Sequence, residues 1–439
     1  MRKRLLAAAV SVLMLCSCSM SMSVADMLEP PRMTEQQSAI YDALETAIGT
    51  DSFKLKYPRS GKNLSACTLQ DLDGDGKEEA VVFYELESGG STATWISILT
   101  QQDGGWKSVK QISGEAGEID RLDFASILGK TKTVLVGWTA TGEENSTCVF
   151  YSYEGGQMQR YDSGYLYHEM LIEDIDSDGH DEIVLCTLGD SRSSQMQLLH
   201  EQNGRIERTS VLNLPSRLTG YMQVISGKLA EGLPTIFADI TLSNGGFYTV
   251  LAAVNTTGVT PVLEKIDEDD IGLYAELSRV ASTAYCTDIN GDGLVDIPVI
   301  SPLPGYDEEE EDTLWLTSYI SIINGQQTTV RRMVVNEALG YSFSLPDSWS
   351  GEVTVRKRSE SNEWRFILYN GDLTDDASAE IVRIRAVSSS DYQDKFETAV
   401  YKTVATKGIY EYQISVPEEQ AAGYELTVEE ASALFSLLK

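Results

Sequence analysis

From about residue 53 to about residue 335, apolar residues come in short runs rich in Val, Ile, Tyr, Phe and Thr, separated by glycine turns. No helical period persists there, so the pattern predicts β-strands. Helical spacing appears near the two ends. Thr34 and Gln37 are placed as a capping box, Ile40, Leu44, Ala47 and Ile48 share a face, and Gly49 is positioned as a stop, which predicts a short helix within residues 34–52. Thr427 and Glu430 form a second box, and Val428, Ala431, Leu434, Leu437 and Leu438 make an apolar stripe, predicting a closing helix. Ahead of it, residues 352–355, 364–369 and 379–386 alternate like strands, so residues 336–439 are expected to form a separate α+β domain.

The strand-forming region repeats. A strand, a glycine turn and a second strand recur at 95–99, 148–153, 196–200, 248–254 and 318–323, each followed by a turn. The turn glycines at 105, 156, 204, 258 and 325 are 51, 48, 54 and 67 residues apart. A unit of about 50 residues is the length of a four-stranded propeller blade. The expected fold is therefore mainly β, a β-propeller of about five blades over residues 53–335 followed by the small α+β domain.

A second repeat carries chemistry. Residues 71–79 read Asp-Leu-Asp-Gly-Asp-Gly-Lys-Glu-Glu, 174–182 read Asp-Ile-Asp-Ser-Asp-Gly-His-Asp-Glu, and 288–296 read Asp-Ile-Asn-Gly-Asp-Gly-Leu-Val-Asp. Carboxylates or an amide at positions 1, 3, 5 and 9, with glycine at 6, suit a loop that wraps oxygen ligands around a hard cation, Ca²⁺ being the expected one. An EF-hand would place a Glu at position 12 and enter a helix; here that position is Val82, Leu185 or Val299, inside an apolar β-like run. The loops start 103 and 114 residues apart, about two units each, so they mark alternate units. The units between them hold degenerate versions, at 119–122 leading to 134–136 and at 222–224 leading to 235–237.

This arrangement resembles the FG-GAP repeats of integrin α-subunit propellers and the related VCBS-type repeats of bacterial surface proteins. The resemblance implies a β-hairpin loop that binds Ca²⁺, with up to three ions in this chain. Carried over position by position, the side-chain ligands are Asp71, Asp73, Asp75 and Glu79; Asp174, Asp176, Asp178 and Glu182; and Asp288, Asn290, Asp292 and Asp296. The backbone carbonyls of Lys77, His180 and Leu294 complete the sets.

Composition adds compartment and partner classes. With 34 basic and 67 acidic residues the chain carries −33, which speaks against nucleic acid as a partner and fits a place where Ca²⁺ neutralises crowded carboxylates. Arg2, Lys3 and Arg4 precede an apolar run over 5–15, too short to span a membrane, and Cys16 and Cys18 follow. Residues 1–18 thus resemble a bacterial lipoprotein signal with Cys18 as the lipidated residue, and 19–33 suit a tether. The expected location is extracytoplasmic, on a bacterial membrane, with contact to that membrane only through the anchor. Cys67, Cys148, Cys186 and Cys286 stand singly, which suits small buried hydrophobes, with one or two disulfides as the alternative. His168, His180 and His200 share no ligand spacing, no nucleophile or phosphate motif occurs, and Trp138 and Tyr306 read first as packing residues. The functional expectation is a non-enzymatic binding or scaffold module for a protein or polysaccharide; the alternative is an extracellular polysaccharide hydrolase or lyase with structural Ca²⁺.

Overall fold

The computed structural model describes residues 33–438 apart from 50–51, 89–90, 116, 128, 130, 162–163, 190–192, 203–204, 216, 231, 244, 258–259, 266–283, 309, 311, 324–325, 359–360, 375–377 and 389–399. The leader with Cys18, the tether up to residue 32 and the turn glycines Gly204, Gly258 and Gly325 lie outside the described residues. The chain divides into two compact units, one of residues up to Tyr57 with Ser65–Asp71 and Asp75–Glu115, the other of Pro58–Leu64, Leu72–Gly74 and Ala116–Lys439.

The first unit joins one helix to one sheet. Helix α1 (Glu35–Ile48) starts at Thr34, whose hydroxyl accepts the Gln37 N–H at 3.1 Å while the Gln37 side chain accepts the Thr34 N–H at 3.0 Å. It stops at Gly49, whose φ of 76° a side chain would disfavour. Its buried Ile40 and Leu44 pack with Phe53, Ala80, Val82, Tyr84 and Leu99 of the sheet. That sheet is antiparallel and holds β1 (Phe53–Leu55), β2 (Cys67–Gln70), β3 (Glu79–Ser88), β4 (Ser91–Gln102) and β5 (Gly105–Ser113). β3 is long enough for β2 to pair with its first half and β1 with its second.

The second unit is built of antiparallel sheets. One sheet contains β6 (Glu118–Ala125), β7 (Thr133–Thr139) and β8 (Ser146–Glu154), with β9 (Gln157–Arg160) and β10 (Tyr165–Tyr167) both on β8. The next runs β11 (Glu169–Glu173), β12 (Glu182–Thr187), β13 (Gln195–Gln202) and β14 (Arg205–Asn213), and a third runs β15 (Leu218–Ala230), β16 (Leu233–Leu242), β17 (Phe247–Thr257) and β18 (Thr260–Lys265). A fourth is β19 (Ile297–Pro302), β20 (Trp315–Ile323), β21 (Gln326–Asn336) and β22 (Tyr341–Leu345).

These sheets pack face to face in series. Ile183 and Leu185 of β12 join Ala125, Leu135 and Phe150 of the preceding sheet, whereas Val184 and Cys186 join Ile236, Ala238 and Val250 of the following one. A strand covered on both faces needs an unbroken apolar run, and 183–186 has one. Phe237, Leu251 and Ala253 repeat the arrangement against Ile297, Ile320 and Ile322.

The C-terminal part departs from expectation at its last helix. Helix α2 covers only Val428–Leu434, capped by Thr427 and Glu430 as the sequence predicts. The stripe read as reaching Leu438 turns extended instead: Phe435 takes φ −87° and ψ 139°, and β28 (Phe435–Leu437) pairs with Tyr341–Phe343. Phe435 stacks on Tyr341 with centroids 5.4 Å apart, so an open sheet edge and an aromatic contact replace another helical turn. A last sheet follows the order β23 (Val353–Arg358), β24 (Glu363–Leu368), β25 (Glu380–Ser388), β27 (Tyr410–Ser415), β26 (Lys402–Lys407). Its Val355, Phe366 and Ile384 share one core with Leu303, Val334, Tyr341 and Phe343, so residues on both sides of 336 contribute to that core. Among the described residues no helix is long and apolar enough to cross a membrane.

Candidate functional site

All three acidic loops are β-hairpin connections. Residues 71–79 join β2 to β3, residues 174–182 join β11 to β12, and residues 288–296 are closed by the Thr287–Asp296 bridge and run into β19. The equivalent connections β6–β7 and β15–β16 lack the acid run, so the acidic loops do sit in alternate sheets. Position 12 falls inside a strand each time, at Val82, Leu185 and Val299.

The loops share a hydrogen-bond scheme. The position-6 N–H donates to the position-1 carboxylate: Gly76 to Asp71 at 3.0 Å, Gly179 to Asp174 at 3.1 Å, Gly293 to Asp288 at 2.9 Å. The position-7 N–H donates to the position-5 carboxylate: Lys77 to Asp75 at 2.7 Å, His180 to Asp178 at 2.8 Å, Leu294 to Asp292 at 2.8 Å. Position 6 is left-handed, with φ of 84°, 92° and 87°, as its glycine anticipates. Position 4 is left-handed too, with Gly74 at 76°, Ser177 at 64° and Gly291 at 81°. The sequence signal for that second turn was the small residue at position 4, which the cation pattern alone does not single out.

Position 9 is the buried end of each loop. Glu79 is 4% exposed, and Glu182 and Asp296 are fully covered. Glu182 Oε2 accepts the Ile175 N–H at 2.8 Å and Asp296 Oδ2 accepts the Ile289 N–H at 3.0 Å, so this carboxylate also ties down position 2. Burial pushes the Glu182 and Asp296 carboxyls up from their ordinary values. Asp288 is held below the usual carboxylate range, chiefly by the Gly293 N–H. His200, on β13, places Nδ1 3.1 Å from Glu182 Oε1 in a buried contact that sequence reasoning missed, because a tertiary pairing 18 residues along the chain leaves no local signal.

Carboxylate oxygens of positions 1, 3 and 9 converge in two loops. One oxygen from each of Asp71, Asp73 and Glu79 lies within 4.8 Å of the others, and so does one from each of Asp174, Asp176 and Glu182. Asp174 Oδ1 is buried without a hydrogen-bond partner, a state that a bound cation would relieve. An all-oxygen anionic donor set fits a hard divalent ion. Asp75 and Asp178 stand outside these groups, their carboxylates taken by the position-7 N–H. In the third loop Asn290 takes position 3, so an amide stands where the other two loops carry a carboxylate, and it donates to Asp292 at 2.9 Å.

Two loops also fasten one sheet to the sheet before it through position 8. Asp181 donates its N–H to the Ser126 carbonyl at 3.0 Å and accepts the Ser126 N–H on Oδ2 at 2.5 Å. Val295 donates its N–H to the Lys228 carbonyl at 2.9 Å. Ser126 follows β6 and Lys228 lies in β15, so both clamps reach the first strand region of the preceding sheet.

Two polar cavities lie elsewhere in the second unit. A cavity of about 440 Å³ is lined by Asp120, Arg121, Glu144, Tyr167, His168 and Glu169 among others. There the Tyr167 hydroxyl donates to Asp120 at 2.5 Å, and Arg121 donates to Asp123 at 2.5 Å and to the Met170 carbonyl at 3.2 Å. Burial pushes the Tyr167 hydroxyl and the Glu169 carboxyl up. A cleft of about 1410 Å³ opens between the β6–β10 and β11–β14 sheets. Trp138 is 2% exposed and Tyr306 donates its hydroxyl to the Val355 carbonyl at 2.7 Å, so both are packing residues. The four cysteines from Cys67 onward are free thiols, three of them buried.

No family model and no curated protein matches the chain. Among solved structures it is similar to the exotype rhamnogalacturonan lyase YesX, at 12% identity and a TM-score of 0.25 over 64% of this chain and 56% of that one. It is also similar to the rhamnogalacturonan lyase PL11 of Bacillus licheniformis, at 11% identity and a TM-score of 0.26 over 63% of this chain and 64% of that one. The chain thus spans less than two thirds of the length of either, and likeness at these scores carries no functional argument.

Proposed function

We propose that the chain is an exported β-propeller, anchored through a lipidated Cys18, whose blades are reinforced by up to three Ca²⁺ ions and which serves as a binding module at a bacterial cell surface. The observation that carries this reading is the double duty of the acidic loops. Positions 1, 3 and 9 of the loop at 174–182 gather oxygens, and its position 8 is bonded to the preceding sheet. An ion held by Asp174, Asp176 and Glu182 would neutralise carboxylates that otherwise repel, and so fix the loop that joins two blades. The serial face-to-face packing of antiparallel sheets, with the β11–β14 and β15–β18 sheets each covered on both faces, is what successive blades of a propeller require.

A thermal melt of the mature protein in chelator and in millimolar Ca²⁺ tests this. Binding to the native state stabilises by about 2.7 kcal/mol for each site at a hundredfold excess over the dissociation constant. Asp73→Ala, Asp176→Ala and Asp292→Ala should each remove part of the rise. A midpoint indifferent to Ca²⁺ in the parent protein would refute the reading.

One observation favours the enzymatic alternative, a polysaccharide hydrolase or lyase: the cavity that collects Asp120, Arg121, Tyr167, His168 and Glu169. Tyr167 is a poor base there, since its proton is committed to Asp120 and burial disfavours its ionised form. Glu169, pushed up by burial, is the group suited to exchanging a proton. A screen of polysaccharides with the parent and Glu169→Gln decides it: turnover lost in the variant supports the enzyme, and no turnover in the parent removes it.

A further inference from the structure

We infer that the cleft between the β6–β10 and β11–β14 sheets binds a carboxylate-bearing oligosaccharide, an inference that rests on the binding-module reading and gives it a ligand class. The first argument is size. At about 1410 Å³ the cleft exceeds the roughly 300 to 1,000 Å³ of small-molecule pockets, so it suits a segment of polymer better than a single sugar.

The second argument is charge. Arg160, Arg205 and Arg208 line the cleft together with two carboxylates, Glu143 and Glu207, in a protein whose net charge is −33. Three guanidiniums gathered on one surface stand out against that background, and the guanidinium fork matches a carboxylate in two parallel hydrogen bonds. Strand geometry sets these groups out. Ile206 is 4% exposed and belongs to the core beneath, so its neighbours Arg205 and Glu207 face outward. Leu199 pairs with Arg208, so Arg208 lies on the same face as Leu199 and Ile206, the face turned to the preceding sheet, and it is exposed there. Arg208 is then held by Gln197, whose Oε1 accepts from it at 3.2 Å.

The third argument separates a sugar from a peptide. Tyr165 lines the cleft and stacks on Phe150 with centroids 5.6 Å apart and planes at 25°; Phe150 is wholly buried, so Tyr165 is a rigid amphipathic plate with a fixed backing. The other lining side chains are chiefly amides and hydroxyls, among them Gln159, Gln195 and Ser193, groups that exchange hydrogen bonds with sugar hydroxyls. Leu166 is the exposed apolar side chain there, whereas peptide recognition draws its affinity from several apolar or aromatic anchors.

The experiment is calorimetric titration of the Ca²⁺-loaded mature chain with tetragalacturonate, its fully methyl-esterified form and an aspartate-rich peptide. Tetragalacturonate should bind with a strength that falls as salt rises, and the ester roughly tenfold or more weaker, since it cannot accept a charge-assisted hydrogen bond. Arg208→Gln and Arg160→Gln should each weaken the acid roughly tenfold and leave binding of the ester unchanged. Equal binding of acid and ester, binding of the peptide alone, absence of binding, or variants that bind as the parent does would each overturn the inference. A chain that melts higher in Ca²⁺ yet ignores the acid fails this inference alone; one that binds the acid without a Ca²⁺-dependent melt fails the calcium reading alone.

Discussion

Replacing Glu182 by Gln separates the cost of burying a carboxylate from the benefit of the ion that would justify it. Glu182 is fully covered, so its charge is held where water cannot solvate it, and burial pushes its carboxyl up. Gln keeps the shape. Its carbonyl oxygen can still accept the Ile175 N–H, now at 2.8 Å, and its amide can donate to Nδ1 of a neutral His200, now at 3.1 Å from Glu182 Oε1. Hydrogen bonds are conserved within about 1 kcal/mol, while the buried charge disappears. In chelator, therefore, Glu182→Gln should melt at or above the parent temperature. In Ca²⁺ the order should invert, because the variant forfeits a ligand worth up to about 2.7 kcal/mol at a hundredfold excess over the dissociation constant. For a unit of this size that is roughly 4 °C, at about 2.1 cal/mol/K per residue. Scanning calorimetry of both proteins in both conditions supplies the comparison. A variant that loses the same stability with and without Ca²⁺ would mean that Glu182 is a packing residue only.

Three further outcomes follow from groups away from the loops. Burial alone would raise the Glu363 carboxyl, but hydrogen bonds from Tyr401 and Arg365 outweigh it and hold the group below its usual range. A depressed folded-state value contributes stability that is present above the ordinary carboxylate range, from about 4.5 upward, and is lost as pH falls through the lowered value, so Glu363→Gln should flatten the acid limb of the urea midpoint against pH. Gly137 lies in β7 where a methyl group would run into the Tyr167 hydroxyl and press on Arg121, so Gly137→Ala should cost about 1 to 3 kcal/mol in denaturant unfolding. Of the thiols beyond the leader, Cys148 and Cys186 are fully buried, Cys286 nearly so, and burial pushes the half-buried Cys67 up to about 11. None of the four should react with a thiol reagent at neutral pH until the protein unfolds.

The features legible in the sequence were those written in consecutive residues. Thr34 with Gln37 and Thr427 with Glu430 both cap helices, because a capping box is complete within four positions. The hairpin placement of the acidic loops was legible for the same reason: ligand spacing, the position-6 glycine and the apolar run after it all fall within a dozen residues. The end of α2 was not, since Phe435 answers to Tyr341, a partner remote in sequence that offers both a sheet edge and a ring. Position 5 was half legible. Its carboxylate is where the pattern puts it, but the turn that brings positions 1, 3 and 9 together also presents the position-7 N–H, and Asp75 and Asp178 accept that donor instead of joining the gathered oxygens.

What escaped the sequence altogether has a common physical cause. The cleft draws Arg160, Tyr165, Gln197 and Arg208 from four strands of two sheets, and the smaller cavity joins Asp120 to Tyr167 across 47 residues. In a meander of antiparallel strands, each strand places only one or two residues at any given level, so a site built at one level is sampled thinly along the chain. The same meander lets a loop speak to its neighbour: position 8 of the loop at 174–182 reaches Ser126, and position 8 of the loop at 288–296 reaches Lys228, about one repeat upstream in each case. A cation bound by consecutive residues would therefore act between sheets, and its removal should be felt first at those joints and only afterwards in the apolar stack. Hydrogen exchange resolves that order. Amides of Asp181, Ser126 and Val295 should lose protection in chelator while those of Val184 and Ile236 keep it, and simultaneous loss would show instead that the loops and the stack open as one cooperative body.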